Sequence, residues 1–337
     1  MSYKWNKSLI VGLLAFLIVF GLSMFTVADT LVVSKAGGQY SSIQEAIDAA
    51  EPGDTVLVKE GTYEENLTIN KELTLKGVGS SKAKIDSVKK KYPVLRVGPS
   101  KVEVTLEGLT LKGAEGEECE SFGKGLCPGG LIAFGKSHLI LTDSVITGNE
   151  WGIGLYHSSR ATIQSSKITG NRYGIELEES SQATVQSSKV MENGDGIELY
   201  DSSQATVQSS KIMENERGIE LFNSSQATVQ SSKVMENGDG IELEESSEIT
   251  IRSTKITENG VGIKLWYSSR AIVQSSKIME NERGIELFNS SQTTIQSSKI
   301  TENKYGIGLG HSSQTTIRNS KIMENERGIE LFNSSQA

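Results

Sequence analysis

From Gly130 onward the chain repeats one pattern of apolar and polar positions every 22 residues. In the unit that opens at Gly218, Ile219 and Leu221 alternate with Glu220 and Phe222, so one pair lies on one side of a strand and the other pair opposite. Val229 and Val234 are further apolar points, each with polar neighbours. No apolar stripe of 3.6-residue period runs through the unit, so a helical repeat fits badly. Three short strands per unit, joined by Asn, Gly and Ser turns, fit well. A period of this length marks a solenoid, in which each unit buries its apolar side only against its neighbours. The turns swing the chain around, so each strand pairs in parallel with the same strand of the next coil, about 4.8 Å away. The predicted class is all-β: a single-stranded parallel β-helix of 22-residue coils with a short N-terminal capping helix.

Every column of such a stack meets itself. Asn149, Asn171, Asn193, Asn215, Asn237, Asn259, Asn281, Asn303 and Asn325 share one phase, and Gly152, Gly174, Gly196, Gly218, Gly240, Gly262, Gly284, Gly306 and Gly328 share another. The asparagines can form an amide ladder that satisfies buried turn groups. The pairs Ser158-Ser159 and Ser180-Ser181, with their successors, are expected to do a similar job. Repetition at every layer makes these polar residues structural.

Ahead of the repeat, Ser41 or Ser42 can cap a short helix whose Ile43, Ala46, Ile47 and Ala50 share one face, and Pro52-Gly53-Asp54 stops it. Strand-like runs follow at Val56-Leu57-Val58, Leu67-Thr68-Ile69 and Leu73-Thr74-Leu75. A solenoid must protect its first layer, and a helix laid across that end would do so. The organisation read from the sequence is a targeting segment over residues 1–28, the cap and first irregular coils over 29–113, a loop insertion over 114–129, and regular coils over 130–337.

The insertion carries Cys119 and Cys127, the two cysteines of the chain, which could form a local disulfide. Two cysteines alone do not make a zinc site. Lys4 and Lys7, an apolar stretch over residues 9–25 and Thr26-Val27-Ala28 read as an export signal processed after about Ala28. The rival is an uncleaved anchor, the only expected contact with a membrane. The net charge of −8 sets nucleic-acid binding aside. The last unit is as typical as its neighbours, so continuation beyond Ala337, into a further domain or against a capping chain, is expected.

The stretch from Gly38-Gln39-Tyr40-Ser41-Ser42-Ile43 to Ala50, with Gly53-Asp54-Thr55-Val56 and Gly61-Thr62-Tyr63-Glu64-Glu65-Asn66, resembles the capping start of right-handed parallel β-helix proteins of the pectin-lyase-like superfamily and of pectinesterases. The coils are similar to the CASH-type repeats of secreted carbohydrate-binding and sugar-hydrolase proteins, a subgroup that includes the periplasmic copper-binding NosD family. The resemblance implies a right-handed coil and leaves activity open, because this fold hosts lyases, hydrolases, esterases, epimerases and non-enzymes. The catalytic Asp pair of pectinesterases has no counterpart here.

Candidate chemistry lies on the Gly-Ile-Glu-Leu strand. Glu176, Glu198, Glu220, Glu242, Glu286 and Glu330 form one column, interrupted by Lys264 and Gly308. Beside it run Phe134, Tyr156, Glu178, Tyr200, Phe222, Glu244, Trp266, Phe288, Gly310 and Phe332. Strict alternation exposes both columns on one face. One reading is a solvated strand face whose aromatics cover the neighbouring turn. The other is a ligand platform, with sugar C–H faces on the rings and hydroxyls on the acids. Calcium could bind through the carboxylates, and no other cofactor is predicted. No carboxylate pair is distinguished for glycoside hydrolysis, and Lys264 is the one basic candidate for a lyase.

Thioethers and imidazoles are the side chains that would hold copper. His138, His157 and His311 are scattered, while Met191, Met213 and Met235 should stand in a row. The column from Lys167 to Lys321 should keep another strand face soluble. The function predicted is that of an exported protein, secreted, periplasmic or at the cell surface, that binds polysaccharide without catalysis. The rivals are a polysaccharide lyase or hydrolase, a NosD-type metal-delivery protein, and a structural spacer or adhesin.

Overall fold

The computed structural model describes residues 28–99, 101–116, 127–333 and 335–337. The export segment, but for Ala28, and Cys119 lie outside the described residues. Three parallel sheets of 13, 12 and 12 strands run the length of the molecule, and the chain visits them in turn within each coil. In one coil the strands are Gln226–Gln230, Lys233–Met235 and Asp239–Leu243. Each pairs in parallel with its equivalent 22 residues on, as Val229 with Ile251, Val234 with Ile256 and Leu243 with Leu265. Ile219, Leu221, Val229 and Val234 are wholly buried, and their columns fill the inside of the coils as far as Leu309.

Turn geometry explains the polar residues between strands. Asn223, Ser224, Ser231 and Glu236 all have positive φ, as do their equivalents in neighbouring coils. Asn tolerates the left-handed region better than most residues, and the corners recur where it and Ser cluster.

Asparagine side chains run along one corner. Asn215 Oδ1 accepts from the backbone N–H and the Nδ2 of Asn193, both at 3.1 Å, while its own Nδ2 donates to Asn237 Oδ1 at 3.0 Å. The bonding repeats from Asn149 to Asn325. A second ladder, at the Ser-Ser-Lys turn, was not singled out from the sequence. Ser188 Oγ accepts from Ser166 N–H and donates to Gln186 O, and Thr254 continues the column.

The helix α1 (Ile43–Ala49) packs against the strands Thr30–Val33, Thr55–Val58 and Leu67–Ile69. Ile43, Ala46 and Ile47 join the same core as the coils, so the helix closes this end of the stack. Ser42 is its N-cap, with the side chain accepting from Glu45 N–H. Cys127 is buried and disulfide-bonded. Among the described residues no helix is long and apolar enough to cross a membrane.

Candidate functional site

The glutamate column sits on the outer side of the third sheet, opposite Ile219 and Leu221. The expectation that it is exposed needs correction: Glu176, Glu198, Glu220 and Glu242 are buried. Alternation decides which side of a sheet a residue takes and says nothing about what covers that side. At Glu220 the cover comes from the residue three positions earlier. The pairing passes from Arg217↔Asp239 straight to Ile219↔Ile241, omitting Gly218, so the strand breaks its two-residue rhythm there. Arg217 therefore turns outward and lies across Glu220.

Neighbouring side chains give the glutamates their donors. Trp151 Nε1 and the Tyr156 hydroxyl donate to Glu176 at 3.1 and 2.6 Å. The Tyr200 hydroxyl donates to Glu198 at 3.1 Å. Arg217 Nη1 is 3.2 Å from Glu220 Oε1, and its Nε is 2.7 Å from Asp195 Oδ1. Lys264 Nζ reaches Glu242 Oε1 at 2.8 Å and Asp239 Oδ2 at 3.2 Å. Arg283 and Arg327 serve Glu286 and Glu330 in the same way.

Electrostatics follow from burial. Glu198 is held well above the usual carboxylate range, first by burial and then by the charges of Asp195, Glu176 and Glu220. Glu220 is raised too; burial leads, Arg217 opposes it, and Asp195 and Glu242 add to it. Partial burial works against the charge on Lys264, but Glu242 and Asp239 outweigh it and hold the ammonium above the ordinary lysine range. Lys264 thus keeps its proton, which argues against the role of a lyase base.

The aromatic column is half-buried and paired within itself. Tyr200 and Phe222 stack with centroids 4.9 Å apart and planes 7° from parallel, and Trp266 stacks on Phe288 at 4.6 Å. Trp151 stacks on Tyr173 at 5.3 Å in the covering column. Each ring therefore gives one face to its neighbour, where the sequence reading had assigned ring faces to a sugar.

Other candidates separate. His138 pairs with Glu103, His157 with Glu179, and His311 lies near Phe288. Met191, Met213 and Met235 do come into register on adjacent strands. The Lys column is mostly exposed. Sequence reasoning missed an open groove of about 670 Å³ lined by Lys101, Glu103, Lys136, His138 and Arg160 with Glu72. It draws on irregular early coils that offer no column to follow. Among the described residues, one group of three metal-capable side chains emerges, Asp195, Glu198 and Glu220.

Several solved structures share this fold at low identity. The A-module of mannuronan C-5 epimerase AlgE4 from Azotobacter vinelandii is 18% identical with a TM-score of 0.54, covering 90% of this chain and 96% of that one. A family 28 exopolygalacturonase of Yersinia enterocolitica is 10% identical with a TM-score of 0.58, covering 91% and 78%. Tailspike protein 2 of Escherichia coli O157:H7 bacteriophage CAB120 is 14% identical with a TM-score of 0.63, covering 80% and 43%. No curated protein matches the chain in sequence. The family model for the right handed beta helix region matches residues 104–244 and 218–337, and with this coverage, these three sheets and the coil period, the chain belongs to that family.

Proposed function

We propose that the protein binds polysaccharide along the outer strip of the third sheet and does not turn it over. The observation that carries this reading is a strip of rings and cations that returns along the stacked rungs of one sheet. Half-buried rings and the cationic groups of Arg217, Lys264, Arg283 and Arg327 stand on rungs that are about 4.8 Å apart, beside glutamates that they or neighbouring side chains engage. A repeating polymer suits a strip on which rings and polar groups return along one axis. The similarity in fold to structures named as mannuronan epimerases and an exopolygalacturonase supports the ligand class. Engagement of the carboxylates and the retained proton of Lys264 support binding without chemistry. On this reading residues 1–28 direct export, and the protein works outside the cytoplasm.

One observation favours an enzyme instead: a strongly perturbed carboxyl group such as Glu198 is a common mark of acid–base catalysis. Its burial keeps it from a substrate, so binding remains the better reading. A glycan array, with products followed by ultraviolet absorbance of new unsaturated ends and by reducing-sugar release, tests both. Binding without products is expected, weakened by the double variant Tyr200→Ala/Phe222→Ala. Release of fragments or new unsaturated ends sinks the non-catalytic reading, and absence of any glycan binding sinks the whole proposal.

A further inference from the structure

We propose that Asp195, Glu198 and Glu220 hold one hard divalent cation, with calcium the best fit, as a structural ion on the outer side of the third sheet beside the Tyr200–Phe222 pair. One carboxylate oxygen from each of the three residues lies within 4.8 Å of the other two. The residues are 5%, 3% and 1% exposed.

A cluster of acids alone would not carry this. The second observation is that Glu198 Oε2 and Glu220 Oε2 are closed off from solvent and have no hydrogen-bond partner. A buried carboxylate oxygen without a donor has lost its water and gained nothing in return, a situation that folded proteins rarely leave standing.

Charge arithmetic points the same way. With all three ionised, Asp195, Glu198 and Glu220 bring three negative charges, and the guanidinium of Arg217, shared between Asp195 and Glu220, brings one positive. The surplus is two. Glu198 receives only the neutral hydroxyl of Tyr200 among its hydrogen bonds. Further along the column the problem is solved by side chains: Lys264 sits on Glu242, Arg283 on Glu286 and Arg327 on Glu330. A bound dication would do at Glu198 what Lys264 does three coils further on.

The donor set selects the ion. All three ligands are carboxylates, which suit calcium or magnesium; the sulfur and imidazole ligands that softer metals prefer are absent from the group. Calcium tolerates irregular coordination and accepts oxygens from backbone and water, whereas magnesium demands a near-octahedral shell. The three ligand side chains are buried, so the ion would lie beneath the rings and cations that the glycan reading uses. The inference therefore stands apart from the glycan reading.

The test uses the full chain stripped with chelator and then titrated with calcium chloride. Calorimetry should show one calcium per chain, and the melting temperature should rise and saturate with added calcium. Terbium in place of calcium should give emission sensitised through Tyr200, and the signal should fall in Tyr200→Phe. Glu198→Gln, of the same shape and with less buried charge, should stay folded by circular dichroism and bind calcium about tenfold or more weakly. Glu242→Gln, whose parent carboxylate Lys264 already neutralises, should bind calcium as the parent does. Absence of calcium binding at millimolar concentration by the parent protein, or unchanged affinity in Glu198→Gln, overturns the proposal.

Discussion

Lys264 Nζ lies 2.8 Å from Glu242 Oε1, reaching back from its own strand to the adjacent one. Read alone, Lys264 interrupts an acidic column; in the fold it is the column's counter-charge. Stacked like charges one rung apart repel, and burial deepens the cost because the low dielectric screens them less. Lys264→Met would leave Glu242 and Asp239 without their cation and should destabilise the protein by about 1–3 kcal/mol, allowing for partial exposure of the pair. The double variant Lys264→Met/Glu242→Gln should recover most of that loss in denaturant melts. Equal stability of parent and Lys264→Met would show that the ion pair contributes nothing.

Tyr156 gives a pH signature. Its hydroxyl donates to Glu176 at 2.6 Å, and the ring is buried. Burial first, and the charge of Glu176 next, hold the phenol well above its ordinary value. The folded state therefore keeps a proton that the unfolded chain releases above about pH 10. Stability from this group is intact below that pH and falls as pH rises beyond it, by about 1.4 kcal/mol per pH unit. Tyr156→Phe should flatten that alkaline decline by one proton, at a cost of about 1.5–3 kcal/mol near neutrality for the lost bond to a carboxylate. Spectrophotometric titration of the parent should show this phenolate forming only as the protein unfolds. Normal ionisation in the folded state would contradict the buried geometry.

The asparagine ladder makes a sharper demand. Asn215 serves its neighbours on both sides, so Asn215→Ala strands Asn193 N–H inside the wall and leaves Asn237 Oδ1 with only the backbone N–H of residue 215. A loss of about 1–3 kcal/mol is expected, since one buried donor is orphaned and its neighbours each lose one bond. Asn215→Asp keeps the acceptor but turns the donor toward Asn237 Oδ1 into a second oxygen, so it should be no better tolerated than Ala. Thermal melts of the two variants decide this. A neutral Asn215→Ala would mean that water replaces the amide without penalty.

Close packing of backbones explains the glycine column that runs beside these asparagines. A Cβ on Gly262 would lie 2.6 Å from Gly284 O and 3.2 Å from Ile278 Cγ2. Neither the sheet backbone nor a buried isoleucine can retreat far. Gly262→Ala should destabilise by about 1–3 kcal/mol, the usual range for overpacking. Hydrogen exchange should show the loosening in the coils on both sides of Gly262. A stable, well-ordered Gly262→Ala would refute the contact.

The fold was legible because it is periodic. Ile219 and Leu221 return every 22 residues, and only stacked parallel strands bring such positions together. Asn149 and its successors announced a buried ladder through their phase alone. The site was half legible. Glu198 and Tyr200 were assigned to one face by alternation, and they do meet there. What alternation could not reveal is that Arg217, set two residues from Ile219, breaks the rhythm at Gly218 and folds over Glu220. That break has a signal in the Gly column, which could have marked a bulge. The groove at His138 and Arg160 had none, because Lys101 and Glu103 belong to coils whose length departs from the period.

One corner of the coil carries avoidable strain. Gly148 and Gly170 take φ of 64° there, while the same place in later coils is filled by Glu192, Glu214, Glu236 and their successors at φ between 56° and 60°. A residue with a Cβ loses about 1–2 kcal/mol in the left-handed region, where glycine is at home. Glu236 makes a backbone bond to Thr257 O in the next rung, which Gly would retain. Gly also has more freedom to lose on folding, which offsets part of the gain. Glu236→Gly should therefore stabilise the protein by about 0.5–1 kcal/mol, and Glu236→Asn by less. Installing Gly at Glu214, Glu236 and Glu258 together should add these increments almost independently, because adjacent coils share backbone bonds but not the relieved strain. Denaturant midpoints of the single and triple variants measure this. A destabilised Glu236→Gly would show that the glutamate side chain, and not only the turn it occupies, holds this corner in place.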